Sequence, residues 1–185
     1  MKLIFITGKP TIMIKIFLSL IFFATLTSFA LVNLKPADSD EAVIFTIKNF
    51  GINTKGELKG LKGTIKWDAA KISNSSFNVS ADVNTINTGI DMRDNDLKKE
   101  TYFDAKKYPA INFVSTSVAA DAVTGNLTIK GVTRSIFIYY TVKPSGNGYL
   151  FEGEFSINRR DFGVGGGGMV LGENVNVKLK VQANP

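Results

Sequence analysis

Four acids, Asp91, Asp94, Asp96 and Glu100, crowd the stretch DMRDNDLKKETYFDAKKYPAINF that runs from Asp91 to Phe113. Carboxylates at such spacing could hold a cation or divide acid and base roles between them. A calcium loop of the EF-hand kind needs glycine at its sixth position and an acid at its twelfth. Counted from Asp94, those positions are Lys99 and Ala105, which excludes that site. A glycosidase pair depends on the separation of two carboxyl groups in space, which sequence spacing does not define. The competing reading gives these acids to helix capping and solvent. The second candidate is Gly163-Val164-Gly165-Gly166-Gly167-Gly168, which contains G-x-G-x-x-G. A dinucleotide site needs that motif between a strand and a helix. Here Met169 to Val181 reads as a turn and another strand, so the match is fortuitous. The glycines instead suit a chain passing tightly against a barrel wall or its opening.

Composition removes most other side-chain chemistry. There is no cysteine, hence no disulfide, thiolate metal site, cysteine nucleophile or lipobox. There is no histidine, hence neither the commonest general base nor the commonest zinc ligand. No G-x-S-x-G elbow occurs, and Asn74, Asn78 and Asn126 head N-x-[ST] triplets to which no role is attached. No catalytic residue, metal ligand or cofactor is assigned, and the chain does not read as an enzyme.

The elements that carry these residues are strands. Val43, Phe45 and Ile47 alternate with Ile44, Thr46 and Lys48, and Ile65 and Trp67 with Lys66 and Asp68. Phe77, Val79, Ala81 and Val83 continue the pattern, as do Ile111 with Phe113 and Leu127 with Ile129. It recurs in Ile136, Ile138, Tyr140 and Val142, in Phe151, Phe155 and Ile157, and in Val175, Val177, Leu179 and Val181. Period-two alternation means an antiparallel sheet with one dry and one wet face. Turn signals stand at Lys62-Gly63, Thr124-Gly125-Asn126, Ser145 to Gly148 and after Phe162. Seven or eight such strands give a sandwich or an up-and-down barrel. Lys35 to Glu41 reads as a polar leader. The one short helix falls after Asp91, with Asp91 as N-cap, Asp94 at its third position and an Asp94–Lys98 pair, its charges turned outward. Phe137 and Tyr139 occupy the second face of their strand, where a homodimer partner would cover them.

Lys9 and Lys15 precede an apolar run from Ile16 to Thr27, and Ser28-Phe29-Ala30 offers small residues for cleavage. This predicts a signal peptide over 1–30, with Met13 as an equally good start, and one exported domain over 31–185. Removal of Lys2, Lys9 and Lys15 with no acid brings the charge from +6 to about +3. No Arg-rich run or nucleic-acid motif remains, so nucleic acid is not an expected partner. Nine phenylalanines, five tyrosines and one tryptophan remain after Ala30. They read first as a packed core and second as the lining of a pocket, since an eight-stranded barrel is just wide enough for either and most barrel interiors are packed.

Thr85 to Thr116, Gly125 to Ile138 (GNLTIKGVTRSIFI) and Phe151 to Gly165 (FEGEFSINRRDFGVG), with Ile44 to Gly60 before them, resemble the YceI-like proteins, described as polyisoprenoid-binding and lipocalin-like. The resemblance implies an all-β, extended antiparallel eight-stranded lipocalin-like barrel with one or two short helices. It implies a periplasmic or secreted protein whose hydrophobic tunnel takes a polyprenyl chain or polyprenyl quinone. Transient contact with a membrane surface is a separate expectation for its partners. On that reading the lipid-binding residues are Val43, Phe45, Ile47, Phe77, Val79, Phe103, Ile111, Phe113, Ile136, Ile138, Phe151, Phe155 and Ile157. One departure stands out. The histidine of the family's R-D-x-H-L pattern is Asp96 here, followed by Lys98 and Lys99.

Overall fold

The computed structural model describes residues 31–167 and 170–185, so the export leader read in 1–30 lies outside the described residues. Nine strands are present among the described residues: β1 Val32–Pro36, β2 Val43–Asn49, β3 Ile52–Trp67, β4 Ser76–Asn87, β5 Ala110–Val118, β6 Ala122–Ile129, β7 Val132–Ser145, β8 Gly148–Asn158 and β9 Leu171–Asn184. Helix α1, Asp91–Leu97, and two 3-10 turns, Ile72–Asn74 and Arg159–Phe162, interrupt them. Strands β2 to β9 pair with their sequence neighbours, and β9 returns to β2, closing an eight-stranded antiparallel barrel. Closure leaves no long unpaired edge, which is the physical reason such alternating strands roll up.

Strand β1 is the ninth. It pairs with the ends of both β3, as Val32 to Trp67, and β9, as Pro36 to Ala183. It thus fills the slot that β2 leaves open further along, and the wall between β3 and β9 consists of two strands in series. This corrects the reading of Lys35 to Glu41 as a leader: Lys35 and Pro36 are in β1, and only 37–42 is a connection. That connection is tied down, since Asp38 accepts from the Gly60 and Leu61 amides at 3.0 and 2.8 Å.

Two expected turns are strand interior. Lys62-Gly63 lies within β3 at a register shift, with Gly63 at φ +118, and Gly125 lies within β6. The hairpins are made instead by Phe50-Gly51 and Lys130-Gly131, in which both residues have positive φ. That is the conformation whose twist suits a two-residue hairpin.

An up-and-down path sorts the connections by end. Phe50-Gly51, 88–109, Lys130-Gly131 and, of the connection before β9, 159–167 and 170 lie at one end. Segments 37–42, 68–75, 119–121 and 146–147 lie at the other. The second end is plugged: Trp67, Phe77, Tyr140, Tyr149 and Phe151 meet largely edge to face, Trp67 and Phe151 at 5.2 Å between centroids. Leu34 and Ala183 are wholly buried beside them.

Candidate functional site

Above the plug the barrel encloses a cavity of about 270 Å³. Its wall is built by the inward rows of the strands, as alternation requires. All thirteen residues of the expected lining face it: Val43, Phe45 and Ile47 from β2, Phe77 and Val79 from β4, Phe103 from the 88–109 connection, Ile111 and Phe113 from β5, Ile136 and Ile138 from β7, and Phe151, Phe155 and Ile157 from β8. The row Val175, Val177, Leu179 and Val181 of β9 also lines it, as do Leu58, Leu61 and Ile65 of β3. The β9 row was legible by the same alternation. Leu58 and Leu61 were not, because a register shift in β3 breaks the period between them.

Two glycines shape the lumen. Gly56 faces Phe45 across β2 and β3, and a β-carbon there would stand 2.2 Å from Phe45 Cζ. A β-carbon on Gly125 would stand 2.5 Å from Phe113 Cζ. Each phenylalanine ring therefore lies flat against a glycine in the wall and not across the channel.

Polar groups reach the cavity mainly at the end opposite the plug. Asn49, Thr54, Thr88 and Arg93 line it there, and all are half-buried, so they mark where the lumen meets water. Thr88 organises the group. Its amide donates to Asp94 Oδ1 at 2.9 Å and its hydroxyl donates to the same oxygen. Arg93 Nε donates to Thr88 Oγ1 at 2.7 Å and Nη2 to the Thr88 carbonyl at 2.8 Å. Asp94 is thereby buried at 7% exposure, which corrects the expectation that the charges of this segment all turn outward. The helix begins after extended Ile90, with no side-chain cap, so Asp91 is not the N-cap; the Asp94 carboxylate is engaged by Thr88 upstream. The Asp94–Lys98 pair does not form; the ion pair of this turn is Asp96–Lys99 at 2.7 Å, on the surface. The four acids do not converge, for Asp91, Asp96 and Glu100 are exposed while Asp94 is not.

Residues 88–109 and 159–167 cover part of this end. Tyr102 and Phe103 pack on Phe162 and Val164, and the Gly165 amide donates to the Thr101 carbonyl at 2.9 Å. The connection is pinned by Arg159, which is 4% exposed. Its guanidinium donates to the carbonyls of Gly172 at 2.8 Å, Val164 at 2.6 Å, and Gly166 and Leu171 at 3.2 Å. Burial, and then the charge of Arg160, lower its proton affinity, yet a guanidinium stays protonated at any ordinary pH. Arg93 and Arg159 both line the cavity and were missed in the sequence, since alternation selects apolar positions and says nothing of connections.

Residues 33–183 match the YceI-like domain. The chain belongs to the YceI-like family. Among relatives of this YceI-like chain, the UPF0312 protein of Pseudomonas savastanoi pv. phaseolicola is 36% identical over 138 residues, covering 68% of this chain and 72% of that protein. The crystal structure of Burkholderia cenocepacia BcnA superposes with a TM-score of 0.71 at 31% identity, over 78% of this chain and 98% of BcnA. A polyisoprenoid binding domain from Saccharophagus degradans, implicated in plant cell wall breakdown, shares the fold with a TM-score of 0.64 at 16% identity, over 84% and 99% of the two chains. The all-β eight-stranded barrel expected from the sequence is the family's fold, here with one additional strand.

Proposed function

We propose that this YceI-like chain is a binding protein that holds a polyisoprenoid-type lipid, a polyprenyl chain or polyprenyl quinone, for carriage or storage without catalysis in the periplasm or outside the cell. The observation that carries the reading is the lumen: an apolar, one-ended channel whose polar lining gathers at the open end. A long hydrocarbon tail needs no polar partner in such a channel, and burial stabilises it by about 25 cal/mol per Å² of apolar surface, less the ordering of the chain. The head group then rests among Asn49, Thr54, Thr88 and Arg93. The fold it shares with a protein described as a polyisoprenoid binding domain supports the ligand class. Phe137 and Tyr139, 50% and 66% exposed with rings 4.8 Å apart, are the surface this reading gives to a homodimer.

The test is mass spectrometry of an organic extract from the folded protein purified from an exported fraction. A stoichiometric polyprenyl species is expected. Phe113→Asp in a folded protein should abolish its retention, because the charge would face an apolar lumen. An empty extract, repeated after incubation with polyprenyl quinones, would refute the assignment; turnover of the lipid would make the protein an enzyme.

A further inference from the structure

The large exposed apolar side chains are not scattered evenly. Phe50, Ile52, Ile90, Met92 and Val170 are 75, 71, 52, 77 and 43% exposed, and all five lie at the open end. The connections of the plugged end, 37–42, 68–75, 119–121 and 146–147, carry none among the described residues; the exposed apolar residue of that end is Leu31, 47% exposed ahead of β1, and Val114, Phe137 and Tyr139 lie on the strands of the wall. The five also flank the opening itself. Phe50 follows Asn49, and Ile52 shares with Thr54 and Leu58 the lumen-facing row of β3, so this row runs out of the barrel and continues as bare surface. On the other side of the gap, Ile90 and Met92 lie between Thr88 and Arg93 in the chain. Val170 is joined to the β2–β3 tip, its carbonyl accepting from the Phe50 amide at 2.8 Å.

Folding gives no reason for these choices. Phe50 sits at φ +50, where asparagine or glycine is favoured and a bulky residue is strained, yet three quarters of its surface stays exposed. Met92 faces water from the first turn of α1. An aqueous crossing of a polyprenyl chain is prohibitive, whereas a lumen whose apolar row continues into an apolar rim offers a path without water. We infer that the rim formed by Phe50, Ile52, Ile90, Met92 and Val170 docks into the surface of a lipid bilayer, so that the lumen opens directly onto the hydrocarbon. The occupant is a bilayer and not a second copy, because the apolar residues ring an opening as separate points at loop tips. The contiguous aromatic pair suited to a protein partner lies elsewhere, on β7. This inference gives the proposed lipid binding its source of lipid.

The experiment uses phosphatidylcholine vesicles that contain no isoprenoid lipid. In flotation the parent protein should rise with the vesicles. The rim pair Phe50→Asn with Met92→Gln should bind at least about tenfold more weakly, each side chain being one anchor of apolar burial. The β7 pair Phe137→Ser with Tyr139→Ser should bind as the parent does. The chain has no cysteine, so an environment-sensitive dye on Met92→Cys or Asn147→Cys reports one end each. A blue shift on vesicle addition is expected for the first and not the second. Equal binding by the rim pair, a shift at both ends, or a lipid-free dimer that only the rim pair dissociates would overturn the docking. Because no isoprenoid is present, vesicle binding with an empty organic extract would overturn the proposed ligand alone. A filled lumen in a protein that ignores vesicles would overturn the docking alone.

Discussion

Replacing Gly56 by alanine should shorten the tunnel without unfolding the barrel. The new β-carbon would stand 2.2 Å from Phe45 Cζ and 2.8 Å from both Cε atoms. Carbon contacts settle near 3.5 Å, so the ring must retreat by about 1.3 Å. Its free side is the lumen, which it lines. Phe45 stands four residues in from Asn49, about 13 Å inside the opening at ~3.3 Å per residue. A chain that stops there loses its deeper units. One isoprene unit of five carbons contributes at most about 4 kcal/mol at ~0.8 kcal/mol per carbon, and about 2 after ordering costs, so affinity should fall roughly thirty- to thousandfold per excluded unit. Stability should change little. Alanine in a strand gains about 0.5–1 kcal/mol over glycine, and a displaced ring torsion costs about 0.5–1.5 kcal/mol. The assay is a set of dissociation constants for polyprenyl quinones of increasing length, with thermal melts alongside. The parent should gain affinity with each unit until the plug is reached, and Gly56→Ala should stop gaining earlier. An unchanged length dependence in a normally melting variant would refute the reasoning. Gly125→Ala is the contrast. Its β-carbon also meets the Val114 carbonyl oxygen at 2.6 Å, which is backbone, so that variant should lose stability itself.

Arg159→Met should lower the melting temperature by roughly 5–12 °C, for loss of about 3 kcal/mol of charged hydrogen bonds to four carbonyls, and Arg159→Lys should not restore it; calorimetry that shows no change would refute the pin. Burial, then the charge of Asp121, pushes the Tyr140 phenol up to about 12, and its hydroxyl donates to the Ala119 carbonyl at 2.7 Å. Unfolded tyrosine ionises near pH ~10, so the stability Tyr140 gives is full below that value and lost as pH rises toward the folded one. Denaturant melts across that range should show the loss, and Tyr140→Phe should reduce it. Hydrogen bonds from Asn74 and then the Lys71 amide hold the Asp68 carboxyl below its usual range. Its contribution is therefore present above the ordinary aspartate value and lost as pH falls through the folded one. Amide exchange in residues 70–75 should accelerate at acid pH, and Asp68→Asn should make it less pH-dependent.

Alternation was enough to place the strand residues of the expected lining on the lumen, because a closed barrel turns one full row of each strand inward; Phe103 reaches it from the 88–109 connection, outside that pattern. It failed where glycine has two meanings. Gly63 and Gly125 look like turns in a sequence, but one permits a bulge and the other makes room for a ring from a strand far away in the chain. The true hairpins at Phe50-Gly51 and Lys130-Gly131 lack the Asn or Asp that usually precedes the glycine, so they gave no signal. Strand β1 was hidden by its shortness and by Pro36, which pairs only at the strand's end. The polar rim was out of reach, since Thr88, Arg93 and Asp94 meet through a non-helical bend just before α1.

The aromatic stopper at one end gives the barrel a direction. On the proposed binding, a cargo that slides in would go tail first and halt against Trp67's neighbours, so every loaded molecule would point the same way. Its reactive end then stays at the threshold, within reach of other proteins. A quinone carried so could be reduced or reoxidised in place, and the barrel would act as a holder that keeps its passenger's working end on display.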